Sequence, residues 1–217
     1  MTRVAVVTGA ARGVGAAVAV GLAAAGLDIA VVDEDDAACG PTVEAVSRLG
    51  RRAVATGTGD GWDAALHRVA ERLGEPTVLV NAVCPEAGPA LSGWALADWA
   101  ARVETVLYGA FAASRAASEY MMREWWGRIV TVAVGTAPTT TEALLGLTRT
   151  LALECEPFGI AVNAVASHLP AVPVELSVPN PAPTAPGGDP FAAAVRAVSM
   201  LAGPDASGLS GQVLYVA

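Results

Sequence analysis

The stretch VAVVTGAARGVG, from Val4 to Gly15, narrows the possible folds more than any other part of the chain. A strand-like run, Val4–Thr8, passes without a linker into glycines at positions 9, 13 and 15. No charge then interrupts the Ala- and Gly-rich stretch from Gly13 to Leu27, as suits a helix packed tightly on a sheet. Gly9 permits the sharp turn out of the strand, and Gly15 lets the following helix lie close against it. A strand, a glycine turn and a helix in direct succession open a parallel sheet, whose strands need helical crossovers to connect them.

The rest of the chain keeps this alternation. Apolar runs of strand length occur at Val4–Thr8, Asp28–Val32, Arg52–Thr56, Thr77–Asn81, Arg128–Ala133, Ile160–Ala166 and Gln212–Val216. Between them lie amphipathic stretches at Val14–Ala25, Thr42–Leu49, Trp62–Leu73, Trp99–Trp125, Thr139–Phe158 and Phe191–Leu201. This order predicts one α/β domain over 1–217, a doubly wound, seven-stranded parallel sheet flanked by helices. Asp98 is a candidate N-cap for the fourth helix, and Thr139 with Glu142 forms a capping-box pattern for the fifth. One segment reads as a linker: Leu169–Pro190, with seven prolines and two adjacent glycines, is either a lid or a disordered loop.

Composition excludes several classes of function. A net charge of −8 argues against a nucleic-acid partner, which would call for a basic patch. The uncharged stretch ending at Leu27 is shorter than the ~20 residues a membrane helix needs. The opening lacks the pattern of a signal peptide, and Cys39, Cys84 and Cys155 are scattered without a C-x-x-C. A cytoplasmic setting without disulfides is therefore expected. No cluster of side chains has metal-ligand spacing, so no metal is expected.

Thr8-Gly9-Ala10-Ala11-Arg12-Gly13-Val14-Gly15 matches the T-G-x-x-x-G-x-G of the short-chain dehydrogenase/reductase (SDR) family, and the chain resembles that family over nearly its whole length. The resemblance implies a Rossmann domain with a dinucleotide held by Gly9, Arg12, Gly13, Val14, Gly15, Asp33 and Asn81. Gly13 would let backbone N–H groups approach a pyrophosphate at the helix N-terminus. Asp33 would bind the adenosine ribose, and the cluster Asp33–Asp36 would repel a 2′-phosphate, so NAD is favoured over NADP. Two alternatives stay open: glycines that serve packing alone, and acids that simply flank a solvated helix N-terminus. The family's acid near the adenine aligns with Gly57, for which Asp60 could substitute if the loop shifts. The family's Asn-Asn-Ala-Gly aligns with Asn81-Ala82-Val83-Cys84, which adds bulk where the chain passes the nicotinamide ribose.

The catalytic positions depart further. All thirteen Lys+Arg residues are arginine, so the Tyr-x-x-x-Lys motif cannot occur in these residues. Alignment places Val106, Val134, Ala137 and Thr141 at the Asn, Ser, Tyr and Lys positions of the family's tetrad. Carbonyl reduction needs a proton for the developing alkoxide as well as a hydride, and valine and alanine can neither donate nor polarise. Thr141 can hydrogen-bond but cannot lower a neighbour's pKa by charge. Among other groups, His168 follows a strand end where ligands bind, although a loop histidine facing solvent is the commoner case. Cys84 is a candidate nucleophile without a histidine nearby in sequence, and Thr136 lies in the remnant of the site. His67 reads as a surface residue.

Three functions follow from this combination. The chain could be a non-catalytic subunit that assembles with an active SDR. It could be an atypical SDR-fold enzyme of secondary metabolism, running a cyclisation, dehydration or isomerisation, or a substrate-assisted ketoreduction. It could also be an NAD-responsive binding protein. Apolar residues on the helices near 99–125 and 139–158, with Trp94, Trp99, Trp125 and Trp126 bracketing the former, predict a homo- or hetero-oligomer built on them.

Overall fold

A computed structural model describes residues 2–82, 91–134, 138–167 and 191–216. Seven strands, β1 (Val4–Thr8), β2 (Asp28–Val32), β3 (Ala53–Thr56), β4 (Pro76–Asn81), β5 (Gly127–Ala133), β6 (Ile160–Ser167) and β7 (Val213–Val216), form one sheet. Its order is β3-β2-β1-β4-β5-β6-β7, and every pairing is parallel. β1, β2 and β5 are buried at every position, as expected of apolar runs covered on both faces.

The helices are α1 (Gly13–Ala24), α2 (Gly40–Arg48), α3 (Trp62–Leu73), α4 (Leu96–Val103), α5 (Gly109–Glu124), α6 (Pro138–Cys155) and α7 (Ala192–Leu201). One apolar layer gathers Val14, Val18 and Leu22 of α1, Val46 of α2 and Val198 of α7 with the sheet. The opposite layer gathers Leu66 and Val69 of α3, Ala113 and Met121 of α5 and Leu151 of α6. The chain runs outward through β1, β2 and β3, then crosses back to place β4 beside β1. That reversal leaves a crevice beyond the C-terminal ends of β1 and β4, where open sheets bind ligands.

The predicted fourth helix runs without a break but carries a π-helical turn. α4 starts at Leu96, a π-helical turn spans Glu104–Tyr108, and α5 follows directly. Asp98 is not the N-cap: Ala95 holds that position, and Asp98 lies in the first turn, where its charge suits the helix dipole. α6 starts on Pro138, a residue pre-set for the first helical position, so Thr139 lies inside the first turn instead of capping it. The Pro-rich segment 169–190 lies outside the described residues.

At the opposite, N-terminal end of the sheet, buried Asp28 accepts hydrogen bonds from Arg51 Nη2 (2.7 Å), Arg52 Nε (2.7 Å) and Arg52 N (3.1 Å). Burial alone would raise its pKa, but the bonds from Arg52 and Arg51 outweigh burial and hold it below the usual carboxylate value. Trp126 is also drawn to this end, between the guanidiniums of Arg3 (5.2 Å) and Arg128 (4.4 Å), and away from the α4–α5 face.

Candidate functional site

A cleft of about 950 Å³ opens at the crevice between β1 and β4. Its floor is the loop from Thr8 to Val14, with Gly9 (φ +61°) and Gly13 (φ +60°) in the left-handed region that favours glycine. A Cβ on Gly13 would meet nothing within 4 Å. On Gly15 it would lie 2.8 Å from Gly9 C, closer still to Gly9 O, and 3.1 Å from Ala10 Cα. The two glycines therefore do different work: Gly15 permits the helix to touch the loop, whereas Gly13 leaves space above it.

Side chains from three elements hold the loop. Thr42 Oγ1 donates to Ala10 O at 2.9 Å, and Ala82 N donates to Thr8 Oγ1 at 3.1 Å, tying β4 to β1 across the crevice. Ala11 N donates to Asp33 Oδ2 at 3.1 Å, and Glu34 N donates to Asp33 Oδ1 at 2.9 Å. Asp33 thus braces the loop, while its carboxylate keeps lone pairs for ribose hydroxyls. Arg12 lines the same cleft and is the one cation among its described lining residues. Space above Gly13, loop backbone at a helix start, an acid at the β2 rim and a cation beside them fit an adenine dinucleotide. Of the acids after Asp33, Asp35 caps a short 3₁₀ turn by accepting from Ala37 N at 3.0 Å.

Asn81 is turned inward. Its Nδ2 donates to Ser114 Oγ (3.0 Å) and Ala110 O (3.4 Å), so it ties β4 to α5, and Ala82 forms the cleft wall. Nor does Asp60 take the place of an acid at Gly57. It is 82% exposed, paired with Arg68 at 3.4 Å, and does not line the cleft. Arg68 also donates to Thr56 Oγ1 (3.1 Å) and Gly57 O (2.8 Å), pinning the β3–α3 loop.

Of the residues expected at the tetrad positions, Val106 is 1% exposed and packs with Ala110, Ala133, Leu144, Leu145, Ala164 and Ala166. Buried polar side chains border this cluster: Ser114 and Asn81 donate to Ala110 O, and Thr148 donates to Leu144 O. Val134 is half-buried against the α1 layer, and Thr141 is half-buried with a partner of its own. Ala137, Thr136, Cys84 and His168 lie outside the described residues. Free Cys39 is buried, and burial with the charges of Asp33, Asp36 and Asp35 pushes its thiol up to about 11. His67 is exposed beside Glu71 at 3.4 Å.

Sequence reasoning missed several lining residues: Glu104, Thr105 and Tyr108 of the π turn, Thr58, Trp62 and Phe191. An irregular turn within a helix-like pattern left no signal that these would face the cleft. Among the described residues no group of three or more His, Cys, Asp or Glu could hold a metal ion, and no helix is long and apolar enough to cross a membrane.

A second groove, of about 680 Å³, runs along the outside of α4, α5 and α6 and is lined by Trp99, Val103, Leu107, Phe111, Ala143 and Leu147. Of the α6 leucines, Leu144, Leu145 and Leu151 are buried within the chain, and Leu147 lines the groove. Leu153, at 75% exposure, is the one left outside both.

Known proteins share this architecture. The family model described as short chain dehydrogenase matches residues 3–175. Short-chain dehydrogenase/reductase family member NovK of Streptomyces niveus is 34% identical in an alignment covering 100% of this chain and 96% of that protein. The (2S)-[(R)-hydroxy(phenyl)methyl]succinyl-CoA dehydrogenase subunit BbsD of Thauera aromatica is 30% identical, with 99% and 94% covered. The crystal structure of acetoin dehydrogenase from Enterobacter cloacae superposes with a TM-score of 0.83 at 30% identity, covering 100% of this chain and 94% of that one. This chain belongs to the short-chain dehydrogenase/reductase family.

Proposed function

We propose that this chain is a non-catalytic subunit that assembles with a catalytically complete SDR through α4, α5 and α6. The observation that carries the reading is Val106: aligned with the tetrad's Asn, it is a 1% exposed aliphatic side chain packed among Ala110, Ala133, Leu144 and Leu145. With no lysine in the chain, the Tyr-x-x-x-Lys proton donor has no counterpart. The groove over α4–α6 supports the partner, since Trp99 and Phe111 are each 44% exposed beside Leu107 and Leu147. Contiguous apolar surface of this kind marks interaction sites. That a relative, BbsD, is itself named as a dehydrogenase subunit is in keeping with this reading.

SDR proteins typically bind NAD or NADP. Here the retained cleft would hold NAD in preference to NADP, because Asp33 and Glu34 line the ribose end and disfavour a 2′-phosphate. The bound dinucleotide would supply hydride chemistry; this chain's residues would bind and orient it.

One observation favours a second reading, an atypical SDR-fold enzyme. Glu104 and Tyr108, four residues apart on the π turn, both line the cleft, with Tyr108 63% exposed. They bring a carboxylate and a phenol to a site that otherwise lacks titratable groups from the tetrad.

The test is co-expression with a complete SDR from the same genome, followed by sedimentation and assay of each component. A defined complex is expected, together with no carbonyl or alcohol turnover by this chain alone, and Phe111→Ser should dissolve the complex. Turnover by the isolated chain, abolished by Glu104→Gln or Tyr108→Phe, would overturn the subunit reading in favour of the second.

A further inference from the structure

The base of a dinucleotide in this cleft is held, we infer, by its face against Trp62 and is not read at its 6-amino group. A 6-oxopurine should therefore be accepted as well as adenine. The inference rests on the reading that the cleft takes a dinucleotide. Outward from the crevice, β1 leads into the glycine loop, β2 into Asp33, and β3 into Thr58 and Trp62. A pyrophosphate on the loop and a ribose at Asp33 carry the base onto the β3 end.

The groups at that end decide how a base can be recognised. Discriminating a 6-amino from a 6-oxo substituent takes a group that only accepts or only donates hydrogen bonds. The loop's one carboxylate, Asp60, is swung outward to Arg68 and does not line the cleft. The Gly57 carbonyl already accepts from both Arg68 Nη2 (2.8 Å) and Thr56 Oγ1 (3.4 Å), and Gly57 does not line the cleft. Thr58 offers a hydroxyl, which donates as readily as it accepts and so fits either substituent. Glu34 and Asp33 follow the end of β2, at the ribose.

Among the described side chains at that end, what remains is the indole. Trp62 is half-buried, packed against the α3 layer while it also lines the cleft. A side chain already packed in this way needs little further ordering when a base stacks on it. Stacking tolerates any base because every base has a π-face, and its loss on alanine substitution corresponds to about 5- to 150-fold in affinity.

The test is calorimetric titration of the purified protein with NAD⁺ and with nicotinamide hypoxanthine dinucleotide, its 6-oxo analogue. The two should bind within about threefold of each other, and Trp62→Ala should weaken both by tenfold or more while Trp62→Phe keeps most of the affinity. A wild-type protein that prefers NAD⁺ by tenfold or more overturns the inference without involving any variant. So does a folded Trp62→Ala protein that binds both ligands as tightly as wild type. Binding of neither dinucleotide by the wild-type protein would overturn the dinucleotide reading itself, and this inference with it.

Discussion

The glycines of the β1–α1 loop separate packing from ligand binding, and a pair of alanine substitutions tests that separation. In Gly15→Ala the new Cβ would sit 2.8 Å from Gly9 C and 3.1 Å from Ala10 Cα, roughly half an ångström or more inside normal contact. Its targets are backbone atoms of a loop braced by Thr42 and Asp33, so they have little freedom to yield. Overpacking of this kind costs about 3 kcal/mol, and the better helix propensity of alanine returns about 1 kcal/mol. The net loss of about 2 kcal/mol corresponds to a fall in Tm of about 4–8 °C for a domain of this size. Gly13→Ala meets no atom within 4 Å and carries only the left-handed backbone penalty, about 1–2 kcal/mol, partly offset in the unfolded chain. Its methyl group would instead occupy the space above the loop, so it should weaken dinucleotide binding well beyond its effect on stability. Urea unfolding and calorimetry on the same preparations provide both readings. Gly15→Ala as stable as wild type would refute the packing role. Gly13→Ala with unchanged affinity would mean the cleft holds no ligand at that loop.

Three further outcomes are expected. Asp28→Asn should lose about 2–3 kcal/mol at pH 7, because it removes the charge from the bonds to Arg51 and Arg52. The Asp28 carboxyl is held below its unfolded value of about 3.9, so its contribution is complete above that pH and fades as pH falls towards the folded pKa. Urea unfolding at several pH values should accordingly show the wild-type and Asn proteins converging below about pH 4. Val106→Asn should cost about 2–3 kcal/mol, since the amide would replace a buried aliphatic side chain among alanines and leucines, and an unchanged urea midpoint would reveal a polar partner at that point. Asp33→Ala should erase any preference for NADH over NADPH in calorimetry and cost about 1 kcal/mol through the freed Ala11 and Glu34 amides. Tighter binding of NADPH by the wild-type protein would contradict the role given to Asp33.

Local chemistry made much of the fold readable before any coordinates. The runs at Val4–Thr8 and Asp28–Val32 are apolar throughout apart from their polar end residues, and only a strand covered on both faces tolerates that. Gly9, Gly13 and Gly15 announce the loop because backbone geometry admits little else there. The missing lysine is visible by inspection and rules out one kind of proton transfer in these residues. Helix ends were less legible, as Asp98 and Thr139 show: a residue able to cap does so only if the chain enters the helix at that point.

Only the tertiary structure decided which residues meet. Arg68 captures Asp60 because α3 folds back along the end of β3, eight residues on in the chain but adjacent in space. Across the π turn at Glu104–Tyr108, Val106 packs into the apolar cluster while Glu104, Thr105 and Tyr108 line the cleft. The same packing buries Leu144, Leu145 and Leu151 and leaves Leu147 on the groove, although all four look alike in sequence. Strand propensity and helix period act over a few neighbouring residues, so the sequence determines elements and their order. Which side chains converge depends on the crossover that sets β4 beside β1 and on the rotation of each helix against the sheet, and both are fixed only when distant segments compete to bury the same apolar surface.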